Sequence, residues 1–325
     1  MKQTSLIIQG VNIHLTCDQH LYSRVSDYLN FFYAGELRPH IKPLTYDLSI
    51  RRDPPPVPPN AIKTLNAADI TCYRNGSDSY YTLKNGSVIH FDPVIRRAKG
   101  FIMKESLNDP ACLFSLIGAP ISENLKYNSL YSLHSAALLC NGVGYLISGD
   151  SGSGKTTSTL CLISAGSKYV SDDVVLLEEI NGEIFAHSLA KTLNVDRVLA
   201  GRFLHTVNKD NFPSETGFKM PLDITHIIPD SFIPHLRPDV IIFVKKDLNT
   251  NSRISPLSQM EVYRRLLKQA VLATSKEVSR NQLQAYGKLV RQVQGFELLN
   301  GRDIYRQPET LVSLIEQIGR YHADN

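Results

Sequence analysis

Eight residues constrain this chain more than any others: Gly149-Asp-Ser-Gly-Ser-Gly-Lys-Thr156, a complete G-x-x-x-x-G-K-[ST] pattern. Glycines at 149, 152 and 154 let the backbone turn tightly and aim successive N–H groups inward around an anion. The pattern lies between an apolar run, VGYLIS at 143–148, and a helical stretch from Lys155 to about Ala165 that stops at Gly166. A strand feeding such a loop into a helix adds the positive N-terminal end of that helix to the anion site. Lys155 is then placed to reach the β- and γ-phosphates of a nucleoside triphosphate, and the Thr156 hydroxyl to sit on Mg²⁺. Gly149, Asp150, Ser151, Gly152, Ser153, Gly154, Lys155, Thr156 and Thr157 form the expected nucleotide-binding set.

Asp172 and Asp173 follow Lys155 by 17 and 18 residues: one helix, a short strand over 167–171, then the pair. Carboxylates at the carboxyl end of a strand beside the loop face the phosphates and their metal. One of them, Asp172, can hold Mg²⁺ directly or through water, and Asp173 can take a proton from an attacking hydroxyl. His134, in Leu133-His-Ser-Ala-Ala, lies on the strand before VGYLIS. It reads either as a satisfied core histidine or as a partner of Asp173. Lys219, in the glycine-containing segment ETGFKMPLD (215–223), marks a candidate mobile lid. Lys191 and Arg202 are weaker candidates for phosphate or substrate.

The rest of the chain bounds the class. In 325 residues, 42% hydrophobic and 20% charged, there is no run approaching the roughly 18 apolar residues of a membrane span. A net charge of +4 suits a phosphate-bearing ligand and falls short of a nucleic-acid binder. The basic pairs Arg51-Arg52, Arg96-Arg97, Lys245-Lys246 and Arg264-Arg265 read as scattered solvated faces. Five widely spaced cysteines without C-x-x-C argue for free thiols in a reducing cytoplasm. Residues 3–8 and 11–16 read as a hairpin, 25–33 as a helix and 45–51 as a strand. After the stiff DPPPVPPN stretch come ITCYR, SYYTLK and SVIHF, the last two joined by Asn85-Gly86, so the first 110 or so residues read as a β-rich meander. Further on, DVIIFV (239–244) reads as a buried strand, with helices around 263–271, 279–294 and 308–319.

The stretch LHSAALLCNGVGYLISGDSGSGKTTSTLCLISAGSKYVSDDVVLLEE (133–179) resembles the catalytic core of the HPr kinase/phosphorylases. It is also similar to phosphoenolpyruvate carboxykinases, which share His-x-Ser-Ala and a Gly-Lys-Thr-Thr loop. A weaker likeness runs through DVIIFVKKDL, ISPLSQMEVYRRLL and FELLNGRD, and the first 120 residues match no named pattern. The resemblance implies ATP and Mg²⁺ as cofactors, with GTP not excluded. It implies Lys155 and the loop on the triphosphate, Thr156 with Asp172 on the metal, Asp173 as general base towards a seryl hydroxyl, and His134 orienting Asp173. It also implies a homo-oligomer. Bifunctional HPr kinases carry Gly-Lys-Ser-Glu where this chain has Gly154-Lys-Thr-Thr157, and their Glu-Leu-Arg-Gly is absent after Asp173. Both departures argue against phosphorylase activity and against HPr itself as substrate.

The expected architecture is an α/β P-loop domain with a mixed sheet, of the HPr-kinase/carboxykinase kind, over 123–325. A smaller β-rich domain over 1–122 precedes it and could serve as a substrate platform. The leading expectation is a Mg²⁺-dependent kinase acting on a hydroxyl, serine first, of a peptide or small protein such as a lasso-peptide precursor. The alternatives are a kinase for free serine or a sugar, and a nucleotide-binding regulator without transfer.

Overall fold

Alternation writes the first sheet. In β2 (Val11–Cys17) residues Val11, Ile13, Leu15 and Cys17 are buried, and in β3 (Leu44–Arg51) so are Leu44, Tyr46 and Leu48. This is the period-2 signature of strands with one packed face. The chain is described by a computed structural model in which residues 31, 39–40, 67–69, 108, 205–211, 213–218 and 324–325 lie outside the described set. Cα proximity divides it into two compact units, 1–131 with 272–282, and 132–271 with 283–325.

In the first unit β1 (Lys2–Ile8) pairs antiparallel with β2 through Gln9 and Gly10, at φ of 49° and 76°. The other strands are β4 (Ile62–Asn66), β5 (Ile70–Asn75), β6 (Asp78–Leu83), β7 (Val88–Asp92) and β8 (Arg97–Met103). The sheet order β1-β2-β3-β8-β7-β6-β5-β4 keeps the expected Asn85-Gly86 hairpin between β6 and β7. It is not the simple meander read from the sequence, because β2/β3 and β3/β8 pair parallel. Helix α1 (Gln19–Leu29) supplies the crossover from β2 to β3 and starts earlier than the expected Val25, directly after Asp18. The Asp18 carboxylate accepts from Ile50 N–H at 2.7 Å instead of capping the helix. Helix α2 (Pro110–Lys126) was not expected, although Leu113, Leu116, Ile117, Ile121 and Leu125 form a buried helical stripe. Gly118 and Pro120 interrupt its pattern in the sequence. The expected division at 122/123 falls inside α2.

The second unit is built on β9 (Tyr131–Cys140), β10 (Val143–Ser148), α3 (Lys155–Ser164), β11 (Lys168–Ser171), β12 (Val174–Ile180) and β13 (Glu183–Ser188). Next are β14 (Thr192–Asp196), α4 (Arg197–Phe203), β15 (Lys219–Asp223), α5 (Ile224–Ile227), β16 (His235–Leu236) and β17 (Val240–Lys246). The chain ends with β18 (Arg253–Leu257), α6 (Gln259–Lys268), α7 (Lys276–Gln292), β19 (Gln294–Asn300), α8 (Arg302–Arg306) and α9 (Glu309–Ala323). The main sheet runs β16-β13-β12-β9-β10-β17-β19-β18, with β11 on β9. Strands β10, β17 and β19 are mutually parallel in sequence of position, and β9 and β18 flank them antiparallel. This is the mixed α/β sheet expected from the sequence. Gly144–Ser148 and Val240–Val244 are buried without a break, as parallel strands covered on both faces must be. Leu160, Leu162 and Ile163 of α3 pack into the same core as Ile147 and Ile242. Each such side chain is worth roughly 1.5–3 kcal/mol when buried. The loop after β10 therefore starts from the buried core of the unit and opens at the carboxyl ends of parallel strands, where ligands of such sheets bind.

All five cysteines are free, and Cys17, Cys72, Cys112 and Cys161 are buried. No described helix is long and apolar enough to cross a membrane.

Candidate functional site

Backbone conformation makes the loop. Gly149, Gly152 and Gly154 lie at φ of 150°, 76° and 104°, positive values that side chains disfavour. A Cβ on Gly149 would come within 2.6 Å of the Val244 carbonyl oxygen. Ser153 N–H donates to the Asp150 carbonyl at 3.1 Å, closing the turn. Gly154 begins α3 with no side-chain cap, so first-turn amides remain for an anion. The Ser153 hydroxyl is buried without a hydrogen-bond partner. Lys155 is only 8% exposed, and its Nζ donates to the carbonyls of Gly149 at 2.6 Å and Asp150 at 3.2 Å. Burial lowers its pKa, Asp173 opposes that shift and Lys219 adds to it. A cradle of glycine turns, an uncapped helix start and a desolvated lysine fits a triphosphate.

The neighbouring aspartates are set apart by their surroundings. Asp172 is 4% exposed; its Oδ2 accepts from Asn194 N–H at 2.8 Å, and its Oδ1 lies 3.2 Å from the Tyr169 hydroxyl, which is shared with the Thr192 carbonyl at 2.6 Å. Burial pushes its pKa up to about 6, against the Asn194 N–H and with help from the charge of Asp173. Asp173 points the other way, with 58% of its side chain exposed and Oδ1 3.0 Å from His134 Nε2. The His134 hydrogen bond holds its pKa below the ordinary carboxylate value, and the charges of Lys155 and Lys219 act in the same sense.

His134 is fixed on three sides. Its carbonyl accepts from the Ser148 hydroxyl at 2.9 Å, its N–H donates to the Gln269 carbonyl at 3.1 Å, and Nδ1 faces Gln269 Oε1 at 3.2 Å. Gln269 Nε2 in turn donates to Asp150 Oδ1 at 3.1 Å. An ionised Asp150 only accepts, which fixes the Gln269 amide and requires Nδ1–H on His134. The chain Asp173–His134–Gln269–Asp150 is thus continuous, with separations of 3.0, 3.2 and 3.1 Å. Gln269, just past the end of α6, was missed by sequence reasoning, because 135 residues separate it from His134.

Of the other expected residues, Lys219 opens β15 and its charge reaches both Lys155 and Asp173. Residues 215–218 of the expected lid lie outside the described set, and 219–223 is β15, paired with β14. Lys191 sits 5.5 Å from the centre of the Phe232 ring and Arg202 5.5 Å from that of Phe203, and neither is a main charge acting on the aspartates. Thr156 is half-buried beside the loop and Thr157 is buried. No described group of three or more His, Cys, Asp or Glu side chains forms a metal cage. Mg²⁺ asks for less: it uses one or two protein ligands, waters and substrate phosphates. Lys245, Lys246 and Arg264 are solvent-exposed, as expected of solvated faces, but they are not scattered: with Arg265 and Lys268 they line a cavity of about 480 Å³ that Gly149–Ser153 also line.

No protein-family model matches the chain. One segment of it is similar to curated HPr kinase/phosphorylases. That of Clostridium beijerinckii is 39% identical over 56 residues, 17% of this chain and 18% of the relative. That of Clostridium perfringens is 41% identical over the same length, and that of Treponema pallidum 47% identical over 51 residues, 16% of each chain. A solved Hpr(Ser) kinase/phosphatase from Coxiella burnetii aligns with 60% of this chain and 99% of its own, at 14% identity and a TM-score of 0.34. The chain thus matches less than a fifth of the length of these curated relatives.

Proposed function

We propose that this HPr-kinase-like chain is a Mg²⁺-dependent kinase that moves the γ-phosphoryl group of ATP to a seryl hydroxyl of a peptide or small protein. The observation that carries the reading is the open carboxylate of Asp173, held through His134 and set in the charge field of the buried Lys155 beside a phosphate-shaped loop. The loop amides and Lys155 would bind the β- and γ-phosphates and stabilise charge as the β–γ bridging bond breaks. Asp173 has one oxygen held by His134 Nε2; its other oxygen would accept the hydroxyl proton as the new O–P bond forms. A carboxylate of lowered pKa is a weak base, which suffices for a loose transition state in which proton removal comes late. Thr156 and the remaining lone pairs of Asp172, directly or through water, would hold Mg²⁺. The ion would supply positive charge against the phosphates and would favour the ionised form of a carboxyl that burial otherwise pushes up to about 6. A ribosomally made precursor peptide is the acceptor class we favour, and ATP the donor.

The test is transfer of labelled γ-phosphate, with Mg²⁺, to free serine and to serine-bearing peptides by wild type and Asp173→Asn. The variant should bind nucleotide within a few-fold of wild type and transfer about 10²–10⁴-fold more slowly. Label on serine alone would replace the peptide reading with a metabolite kinase. Unchanged transfer by the variant would remove Asp173 from the role of base.

A further inference from the structure

We propose that the cavity between β17, α6 and the outer arm of the loop binds an acidic segment of the peptide acceptor. This rests on the kinase reading for what the peptide is used for, though not for its binding. Register places the cavity: β17 runs parallel to β10 with Phe243 opposite Ser148, so its exposed end, Lys245 and Lys246, emerges beside Gly149. Helix α6 contributes Arg264, Arg265 and Lys268. Arg264 and Lys268 are one turn apart, about 6 Å along the helix axis, and share a face. The volume of about 480 Å³ is in the range of specific ligand sites.

Five cations line this cavity against two carboxylates, Asp150 and Glu297. The two arginines are held in place: Glu261 accepts from Arg264 and Arg265 at 2.6 Å each, and Glu297 from Arg265 at 2.6 Å. Lys245 and Lys268 have no ion-pair partner among the described residues, and both are exposed. The charge therefore exceeds what the wall itself neutralises.

On the proposed reading the phosphates of the nucleotide are held by the loop amides and Lys155, and its base and ribose bring no charge to Lys245 and Lys268. Lys155, Thr156, Asp172, Asp173 and His134 are not in the lining; Gly149–Ser153 are shared with the nucleotide loop, and Gln269, bonded to Asp150, links the lining to His134. A ligand in the cavity is thus one side chain away from the His134–Asp173 pair. A single small carboxylate would engage one or two of the cations. A strand end and a helix turn that both present positive charge suit several carboxylates in succession along an extended chain.

The experiment uses the full chain and dye-labelled synthetic serine peptides in which the flanking residues are Asp/Glu, Asn/Gln or Lys. Binding is read by anisotropy at low and at physiological salt, with a non-hydrolysable ATP analogue and Mg²⁺ present. The acidic peptide should bind at least about tenfold more tightly than the neutral one, with the margin shrinking as salt screens it. The double variant Lys245→Glu, Lys268→Glu should lose that margin while its affinity for the analogue stays within about threefold. The milder Lys245→Gln, Lys268→Gln should lose part of it, which guards against misfolding as the cause. Equal binding of acidic and neutral peptides by wild type would overturn the proposal. So would a charge-reversed variant that weakens analogue binding and keeps the acidic preference. Displacement of the acidic peptide by a free dicarboxylic acid at equal concentration would also overturn it, since the cavity would then be a small-anion site. Label transfer is scored separately: acidic preference without transfer to any peptide defeats the kinase reading and leaves the cavity assignment standing.

Discussion

Two lysines are buried among the described residues, Lys126 in the first unit and Lys155 in the second, and their surroundings differ in kind. Lys126 Nζ donates to Glu123 Oε2 at 3.1 Å, with both side chains at most 4% exposed. Glu123 Oε1 also accepts from the N–H and hydroxyl of Thr274, at 2.9 and 2.6 Å, and Thr274 shares a hydrogen bond with Ser79. That network is closed, with its charge neutralised inside the protein. Lys155 instead meets two backbone carbonyls, and no described carboxylate lies within ion-pair distance of it. Asp172, buried nearby, is likewise held by neutral donors only. A closed pair serves the fold. A buried cation and a buried carboxylate that make no ion pair are what a ligand bringing phosphate and metal can complete.

The sharpest way to break this comparison is Lys155→Ala. Removing a desolvated cation that no carboxylate pairs with directly should leave the thermal midpoint unchanged or raised, while nucleotide affinity falls by on the order of 10³-fold or more. A titration showing less than a tenfold loss would mean that the loop does not hold phosphate through this lysine. Next in size is Lys126→Met, which strands the Glu123 carboxylate. It should cost about 3–5 kcal/mol in urea denaturation and leave nucleotide affinity within a few-fold. A loss below about 1 kcal/mol would erase the distinction between the two lysines.

A third measurement sharpens the contrast through pH. Asp172 keeps its proton up to about 6 in the fold and only to about 3.8 as an ordinary carboxyl. Between those values the folded chain binds more protons at this site than the unfolded one, so its stability contribution falls as pH rises through the window. The penalty is complete above pH 6 and amounts to at most about 3 kcal/mol. Asp172→Asn lacks the titration. Its stability relative to wild type should therefore climb between pH 4 and pH 6.5 in nucleotide-free denaturation curves. Parallel curves for the two proteins would show that Asp172 is not desolvated as described.

What could be read in advance followed the range of the interactions. The loop is legible because strand, glycine turns and helix are all local, and Lys155 opens α3 as the pattern demands. The position of the aspartate pair was equally legible. Its division into a buried and an open carboxylate was not, because Asn194 N–H on β14, 22 residues away, decides it. Gln269 and the five-cation cavity depend on the parallel pairing of β10 with β17 and on where α6 ends. Short runs of sequence carry no sign of that. In the first unit, Asn85-Gly86 announced its hairpin, whereas α2 was hidden by the glycine and proline inside its apolar stripe.

The smallest effect expected is at Gln269, and it asks whether the open charges of the second unit act together. The Gln269 amide spans from His134 Nδ1 to Asp150 Oδ1, at 3.2 and 3.1 Å. Gln269→Leu keeps the volume and removes both bonds, so nothing then requires the proton to stay on Nδ1 or the ring to keep Nε2 on Asp173. Transfer should fall about tenfold, with nucleotide affinity within threefold and stability within about 1 kcal/mol of wild type. Gln269→Glu separates the two ends. It still accepts from Nδ1–H and repels Asp150, so transfer should recover relative to leucine while the loop is loosened and KM for the nucleotide rises. If glutamate and leucine are equally impaired, the contact with Asp150 is what matters and His134 is oriented by its backbone alone. If both match wild type, Asp173 works without the relay, and the open region of the molecule is a set of independent charges, not a connected one.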